Sequence, residues 1–360
     1  MRILVVATNI KIPDTHGGST HVGELFRNLS THGPTHLLAA EGSHGENITG
    51  IASWLYPPSP FKHLVSLRYF PKALRAAEAF KPDVIYERGS SYGLGAMLSA
   101  KLGIPMLCMV LDEWYSPLSL IRARKVIATN TELVPAWSRS KAVKVSWGAN
   151  AELFHPNYSK SDARQRWNLP NDAFVIGYSG SFQKWHGLDS LLEATHLLQD
   201  RPLHLLLVGD GRQRQAIEAQ CQELGLSSKV TITGRVPYED VAPSLAAADI
   251  CVAPFNPSLH NLSKKRGFAL DPLKVFEYLA LNKPTITVKS RNIEELFEHG
   301  THLRMVEPGD ARGLAENIAT MMDHPAEAAA SAERGREVVL ANHTWAAHAA
   351  HLASLFRAMR

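Results

Sequence analysis

Three stretches of this sequence bring together residue types that suit an anionic, hydroxyl-rich ligand. In ALDPLKVFEYLALNKP, Asp271 is a good helix N-cap, and Pro272 fits a first helical position, where no N–H is needed. The free N–H groups at such a helix start make an anion site. Lys274, at the third helical position, adds a mobile positive charge, and Glu277 lies three residues further on the same face. A carboxylate there can accept two hydroxyls, as a ribose presents them. The same residues also describe a capped amphipathic helix with a Lys–Glu surface pair. A second stretch is Gly17-Gly18, between a first strand and its helix, where missing side chains let a backbone approach a phosphate; a plain turn would use them equally well. The third is GYSGSFQKWHG, in which Ser181, Lys184 and His186 follow a strand as clustered donors, or else form a polar loop anchored by a tryptophan. The sequence holds no HExxH, no His/Cys set with metal spacing, no GxSxG and no P-loop lysine.

Positioning these residues falls to a regular alternation of elements. RILVVATN reads as a strand, and STHVGELFRNLSTHG as a helix with Val22, Leu25, Phe26 and Leu29 on one face, Ser19 or Thr20 as cap and Gly33 as stop. PDVIYERG, IPMLCMVLD, KVIATN and KAVKVSWG continue as strands. The alternation pauses at GANAELFHP and restarts at Ala173 with AFVIGYSG, PLHLLLVGDG, KVTITG, DICVAPF and KPTITV, separated by helices. Short apolar strands between helices imply parallel sheets covered on both faces. The chain is therefore expected to be α/β with two Rossmann-like domains, residues 1–150 and 151–344, whose sheets face a cleft with their carboxyl ends, where open α/β sheets bind ligands. Residues 345–359 form a last amphipathic helix.

Composition narrows the class. The 360 residues are 45% apolar and 20% charged, which suits two domains of an ordinary globular chain. Cys108, Cys221 and Cys251 lie far apart, as expected of reduced thiols in a cytoplasmic protein. No apolar run approaches the ~20 residues of a membrane span, and the N-terminus lacks a signal-peptide cleavage site. The net charge of +4 is uneven, with +6 on residues 1–150 and −2 on residues 151–360. A mildly basic front half fits an anionic partner, but no basic run or aromatic-studded stripe supports nucleic-acid binding.

Taken together, these phrases resemble the retaining glycosyltransferases of the GT-B fold, specifically the large glycogen-synthase-like family four. GGSTHV is similar to that family's first-loop glycines and SWGANAELFHP to its interdomain segment. LLLVGDG, TGRVPYEDVAPSLAAADICVAPF, DPLKVFEYLALNKP and VEPGDARGLAENI follow in the family's order. NHTWAAHAAHLASLF resembles its terminal helix, which crosses back onto the first domain. The resemblance implies transfer of a sugar from a nucleotide-diphosphate donor with retention at the anomeric carbon, no metal and no cofactor. A UDP-sugar is the first choice of donor. It implies that Glu277 holds the ribose, that Arg235 and Val236 flank the base, and that Gly209 and Asp210 line the same pocket. Gly17, Gly18, Ser181, Lys184, His186 and the Asp271-Pro272-Leu273 helix start would meet the diphosphate, with Lys274 acting on it.

The chain also departs from that pattern. Ala269 stands where the family usually has the first of two glutamates, and Ser181 and His186 stand where it usually has Arg and Lys. In the first domain, Asp112 and His16 are the candidates for catalysis at the donor sugar, and Arg88 and Glu113 for contact with the acceptor. That acceptor is read as a glycan, a lipid-linked molecule or a small molecule. The basic and aromatic stretch at residues 61–76, broken by Pro71 into two short helices, is the candidate for peripheral contact with the inner face of a membrane. Two other readings keep the fold: a nucleotide-sugar-binding partner subunit without transfer, and a nucleotide-sugar epimerase.

Overall fold

A computed structural model describes the chain apart from residues 15, 53–61, 113–114, 261–272 and 360, with the side chains of residues 52, 62–65 and 90 also left out. It divides into two compact units, Met1–Trp147 with Trp345–Arg360, and Gly148–Thr344.

Unit 1 begins with β1 (Ile3–Ala7), α1 (Gly17–Ser30), β2 (Thr35–Ala40), β3 (Ile48–Ala52) and α2 (Lys62–Phe80). It continues with β4 (Val84–Arg88), α3 (Leu94–Leu102), β5 (Met106–Met109), α4 (Pro117–Arg122), β6 (Lys125–Ala128) and β7 (Ala142–Lys144). The strands form one parallel sheet in the order β3-β2-β1-β4-β5-β6-β7. All five β1 residues are fully buried, as expected of a strand covered on both faces. The chain switches direction along the sheet between β1 and β4, so the loops after these two strands diverge and leave a crevice at their carboxyl ends.

Unit 2 runs through α5 (Lys160–Arg166), β8 (Phe174–Ser179), α6 (Leu188–Leu197), β9 (Leu203–Val208), α7 (Arg214–Glu223), β10 (Val230–Gly234) and α8 (Tyr238–Leu245). Then come β11 (Ile250–Ala253), α9 (Leu273–Ala280), β12 (Thr285–Val288), α10 (Arg291–Glu294), β13 (Arg304–Val306), α11 (Ala311–Asp323) and α12 (Pro325–Asn342). Its sheet is also parallel, in the order β10-β9-β8-β11-β12-β13, with the switch between β8 and β11. The last helix, α13 (Trp345–Ala358), returns to unit 1. There Ala349, Leu352 and Phe356 share a core with Val22, Leu25 and Leu29 of α1. Burial of each large apolar side chain contributes about 1.5–3 kcal/mol. Trp345 and His348 also pack against the buried His21 ring of α1, and His348 Nδ1 lies 2.8 Å from the Ser146 carbonyl oxygen.

Two local expectations change. Helix α1 starts at Gly17 and is capped by His16, whose Nδ1 accepts from the Ser19 N–H at 3.1 Å, rather than by Ser19 or Thr20. The cap lies one turn earlier because Ser19 is itself buried in the first turn. Helix α2 passes through Pro71 without dividing. The proline is exposed, while Ala73 and Ala77 are fully buried, and their packing holds the helix together across the missing N–H. Within residues 61–76, Phe61 and the side chains of 62–65 fall outside the described residues. Tyr69, Phe70 and Leu74 are half-buried, leaving Leu67 as the exposed large apolar side chain of the described part.

Candidate functional site

The carboxyl end of the unit 2 sheet gathers most of the residues singled out above. Strand β8 ends in Tyr178-Ser179, and the chain turns at Gly180, whose φ of +133° suits glycine. A Cβ there would lie 2.8 Å from Lys274 Nζ, so the turn and the lysine are in contact. Lys274 is 9% exposed. Its Nζ donates to the Tyr178 hydroxyl at 3.0 Å and sits 4.1 Å from the Tyr178 ring centre and 4.9 Å from that of Phe255. Burial among these rings pulls its pKa down to about 7, against the opposing charge of Glu277. The lysine is therefore a packed, weakly held proton site rather than the mobile surface charge that its spacing suggested.

Glu277 is also buried, at 7% exposure, and its Oε1 accepts from the Tyr238 hydroxyl at 3.0 Å. The pair is thus not a solvated Lys–Glu bridge: both side chains lie on the covered face of α9. Tyr278, on the same helix, accepts from the Ser179 N–H at 2.7 Å and ties α9 to the end of β8. These tyrosines are the hydrogen-bond partners that reading the motifs missed. Each stands beside a quoted motif residue, and the aromatic residues within GYSG, VPYED and FEYL were the available signal.

The loop after β8 separates its three candidates. Ser181 and Lys184 are exposed, whereas His186 is buried. His186 Nδ1 lies 3.0 Å from the Tyr178 hydroxyl and is also bonded to the Ser181 carbonyl, an acceptor only, so this nitrogen carries the proton. Burial, then the nearby Lys274 charge, holds the His186 pKa well below the ordinary histidine value. The ring expected to serve the ligand braces the loop through Nδ1. Gly209 has φ +148° after β9, and a Cβ on it would collide with the Gly180 carbonyl, so a bare backbone is required where two turns meet. Asp210 spends its carboxylate on the Gly211 N–H at 2.7 Å. Arg235, exposed, and Val236, half-buried, follow β10. Leu273 opens α9, while Asp271, Pro272 and Ala269 lie outside the described residues.

Unit 1 offers a more exposed set. Gly17 and Gly18 form the start of α1, with open space around the Gly17 Cα. His16, exposed beside them, uses Nδ1 for the cap and presents Nε2 to Asp14 at 3.7 Å. Arg88 ends β4 half-buried, and Asp112 is half-buried beyond β5; Glu113 falls outside the described residues. Next to Arg88, Glu87 is fully buried and accepts from the Gly93 and Gly95 N–H groups at 3.1 and 3.2 Å. Burial raises its pKa to about 7 against those hydrogen bonds. Among the described residues no group of three or more His, Cys, Asp or Glu is placed to hold a metal ion, and no helix is long and apolar enough to cross a membrane.

Comparison with known proteins first defines the class of fold. Sucrose-phosphate synthase from Thermosynechococcus elongatus matches with a TM-score of 0.81 at 22% identity, covering 99% of this chain and 98% of that one. HepE of Anabaena, in its complex with UDP-glucose, matches with a TM-score of 0.80 at 19% identity, covering 99% and 100%. The fold is that of the GT-B glycosyltransferase structures. In the second unit, residues 173–324 match the family of glycosyl transferases group 1. That segment contains every described candidate of unit 2. The lipopolysaccharide core biosynthesis glycosyltransferase LpsD of Rhizobium meliloti is 30% identical over 206 residues, 55% of this chain and 55% of that protein. The chain spans about half the length of the curated relatives it matches.

Proposed function

We propose that this protein is a glycosyltransferase of the hexosyl-transferring type, moving a sugar from a nucleotide-diphosphate donor to an acceptor with retention of anomeric configuration. The observation that carries the reading is the buried pair on α9, Lys274 and Glu277, set at the carboxyl end of a sheet within the segment that matches glycosyl transferases group 1. A cation and a carboxylate one helical turn apart match a phosphate and a pair of ribose hydroxyls. Glu277, already oriented by Tyr238, takes the ribose. Lys274 meets the diphosphate and stabilises the charge that develops on it as the sugar departs. An anionic ligand raises the lysine pKa and completes its protonation.

Ser181, Lys184, Arg235, Val236, Gly209 and Asp210 complete the donor set. His16, Arg88, Asp112 and Glu113 remain the proposed contacts on the acceptor-bearing unit 1. UDP-sugars are the first donors to try, since HepE was solved with UDP-glucose. A thermal-shift panel of UDP-, GDP-, ADP- and dTDP-sugars tests the reading, because a ligand bound only to the native state raises the melting temperature. Release of nucleoside diphosphate in the presence of acceptors then separates transfer from binding. The inward-turned His186 and the alanine at position 269 favour one second reading, a nucleotide-sugar-binding subunit without turnover. It predicts a thermal shift with no diphosphate release from any acceptor or water. Absence of a shift with every nucleotide sugar overturns both.

A further inference from the structure

Among the described residues, five large apolar side chains are strongly exposed, and three of them, Leu118, Ile121 and Trp137, lie on two linked segments of unit 1. On α4, Ser119 and Leu120 turn inward while Leu118 is 52% and Ile121 64% exposed. Trp137, 58% exposed, stands on the 3-10 turn Ala136–Lys141. This turn and α4 adjoin, because Lys141 Nζ donates to the Leu120 and Ile121 carbonyls at 3.1 and 3.0 Å. In the chain α4 leads into β6 and the turn leads into β7, the last strands of the sheet on that side.

The surrounding charge has one sign. Residues 116–144 contain Arg122, Arg124, Lys125, Arg139, Lys141 and Lys144 against the single acid Glu132. Several of these cations are fixed in place. Arg122 is bonded to the Ser99 hydroxyl and carbonyl at 2.9 and 3.1 Å, and Arg124 is bonded to the Met359 carbonyl. Lysines alone would be explained as protection of a sheet edge against strand pairing. That explanation does not cover three outward apolar side chains, which such an edge would avoid. An exposed tryptophan and two exposed aliphatic side chains on a cation-rich segment match the layered chemistry of a bilayer surface, where apolar groups enter the acyl boundary and cations meet acidic headgroups.

We propose that this face docks on an anionic lipid bilayer, with Trp137, Ile121 and Leu118 entering the headgroup region. The docking rests on exposure and charge alone. Its link to transfer, presentation of unit 1 to a lipid-borne acceptor, rests on the proposed function. It also moves the membrane contact away from residues 61–76, where the described aromatic side chains are half-buried.

Co-sedimentation of the full chain with vesicles tests the proposal, comparing phosphatidylcholine alone with phosphatidylcholine containing about one-third phosphatidylglycerol. The protein is expected to sediment with the anionic vesicles at low salt, and to lose at least about tenfold in partitioning when salt shortens the screening length. The combined variant Leu118→Ser, Ile121→Ser, Trp137→Ala should lose binding about tenfold or more, as should Lys125→Glu with Lys144→Glu. Lys72→Glu with Arg75→Glu on α2 should bind like the parent. Circular-dichroism melting of each variant confirms that loss of binding is not loss of fold. The proposal is overturned if the parent ignores anionic vesicles, if the apolar variant binds unchanged, or if the α2 variant is the one that fails. It is equally overturned if light scattering shows a dimer that the apolar variant breaks, since the face would then hold a second copy of the chain. No nucleotide sugar enters these measurements, so failure of docking and failure of donor binding are separately visible.

Discussion

At the carboxyl end of the unit 2 sheet, tyrosine hydroxyls finish the site: Tyr178 holds Lys274, Tyr238 holds Glu277 and Tyr278 pins their helix to β8. At the corresponding end of unit 1, His16 follows β1, Arg88 ends β4 and Asp112 follows β5, each half-buried or exposed, and His16 caps α1. Buried hydrogen bonds that fix a cation and a carboxylate in advance suit a ligand whose charged part never changes, because little ordering remains to be done on binding. A more exposed set suits a ligand that differs from one relative to the next. The contrast therefore supports donor recognition in unit 2 and acceptor recognition in unit 1, and it can be broken from either side.

The largest effect is expected from Lys274→Met. Without the ammonium beside the departing diphosphate, turnover should fall on the order of 10²–10³-fold. Stability should move the other way. Burial lowers the lysine pKa from 10.5 to about 7, so between those values the unfolded chain holds a proton that the native protein releases. Native stability therefore rises with pH across that window, and the cost of burying the charge is felt in full below it. The methionine variant should lack this rise and melt higher than the parent at pH 7. A variant that melts lower at pH 7 yet turns over normally would make Lys274 a structural residue and dissolve the contrast between the units.

Next comes Glu277→Ala, which removes two charge-assisted ribose hydrogen bonds at ~1.5–3 kcal/mol each. Calorimetry should record at least a tenfold loss of nucleotide affinity; an unchanged constant would remove the carboxylate from donor binding. A subtler signature concerns protons. Because Lys274 is only partly charged near neutrality, binding of a UDP-sugar around pH 8 should take up a fraction of a proton. Binding enthalpies in buffers of differing ionisation heat would reveal this uptake, and it should vanish in Lys274→Met. Tyr238→Phe should cost about 0.5–1.5 kcal/mol of donor affinity, the net worth of one hydrogen bond that orients Glu277.

The sequence shows the architecture more clearly than the site. Largely apolar runs such as ILVVA and LHLLLV read directly as strands because parallel sheets bury both faces. The strands that escaped were short or weakly patterned: ITGIA with its central glycine, RMV with three residues, and THLLAA beginning just after a Gly-Pro turn. At the site, spacing placed Lys274 and Glu277 on one helix face but could not say which way that face turned, since i, i+3 geometry is the same in water and in a core. Burial was decided by Tyr178, Phe255 and Tyr238, which come from three other segments of the chain. His186 shows the same limit: its place in a polar loop says donor, and only the fold turns its ring inward.

The smallest expected effect, and the one that tests unit 1 most directly, concerns His16. Its Nδ1 caps α1 by accepting from the Ser19 N–H, and its Nε2 faces Asp14. Loss of a helix cap typically costs about 1 kcal/mol. His16→Ala should therefore lower stability by about that amount in urea unfolding, while donor affinity stays at the parent value because the residue lies outside the unit 2 set. Asparagine can accept from the same N–H through its side-chain oxygen, so His16→Asn should recover most of the lost stability. The pair separates the two duties of the residue. If turnover returns together with stability in the asparagine variant, His16 serves only as a cap. Restored stability with turnover still depressed requires the imidazole itself, and places a catalytic group in unit 1. A fall in donor affinity in either variant would contradict the division of labour from which the comparison began.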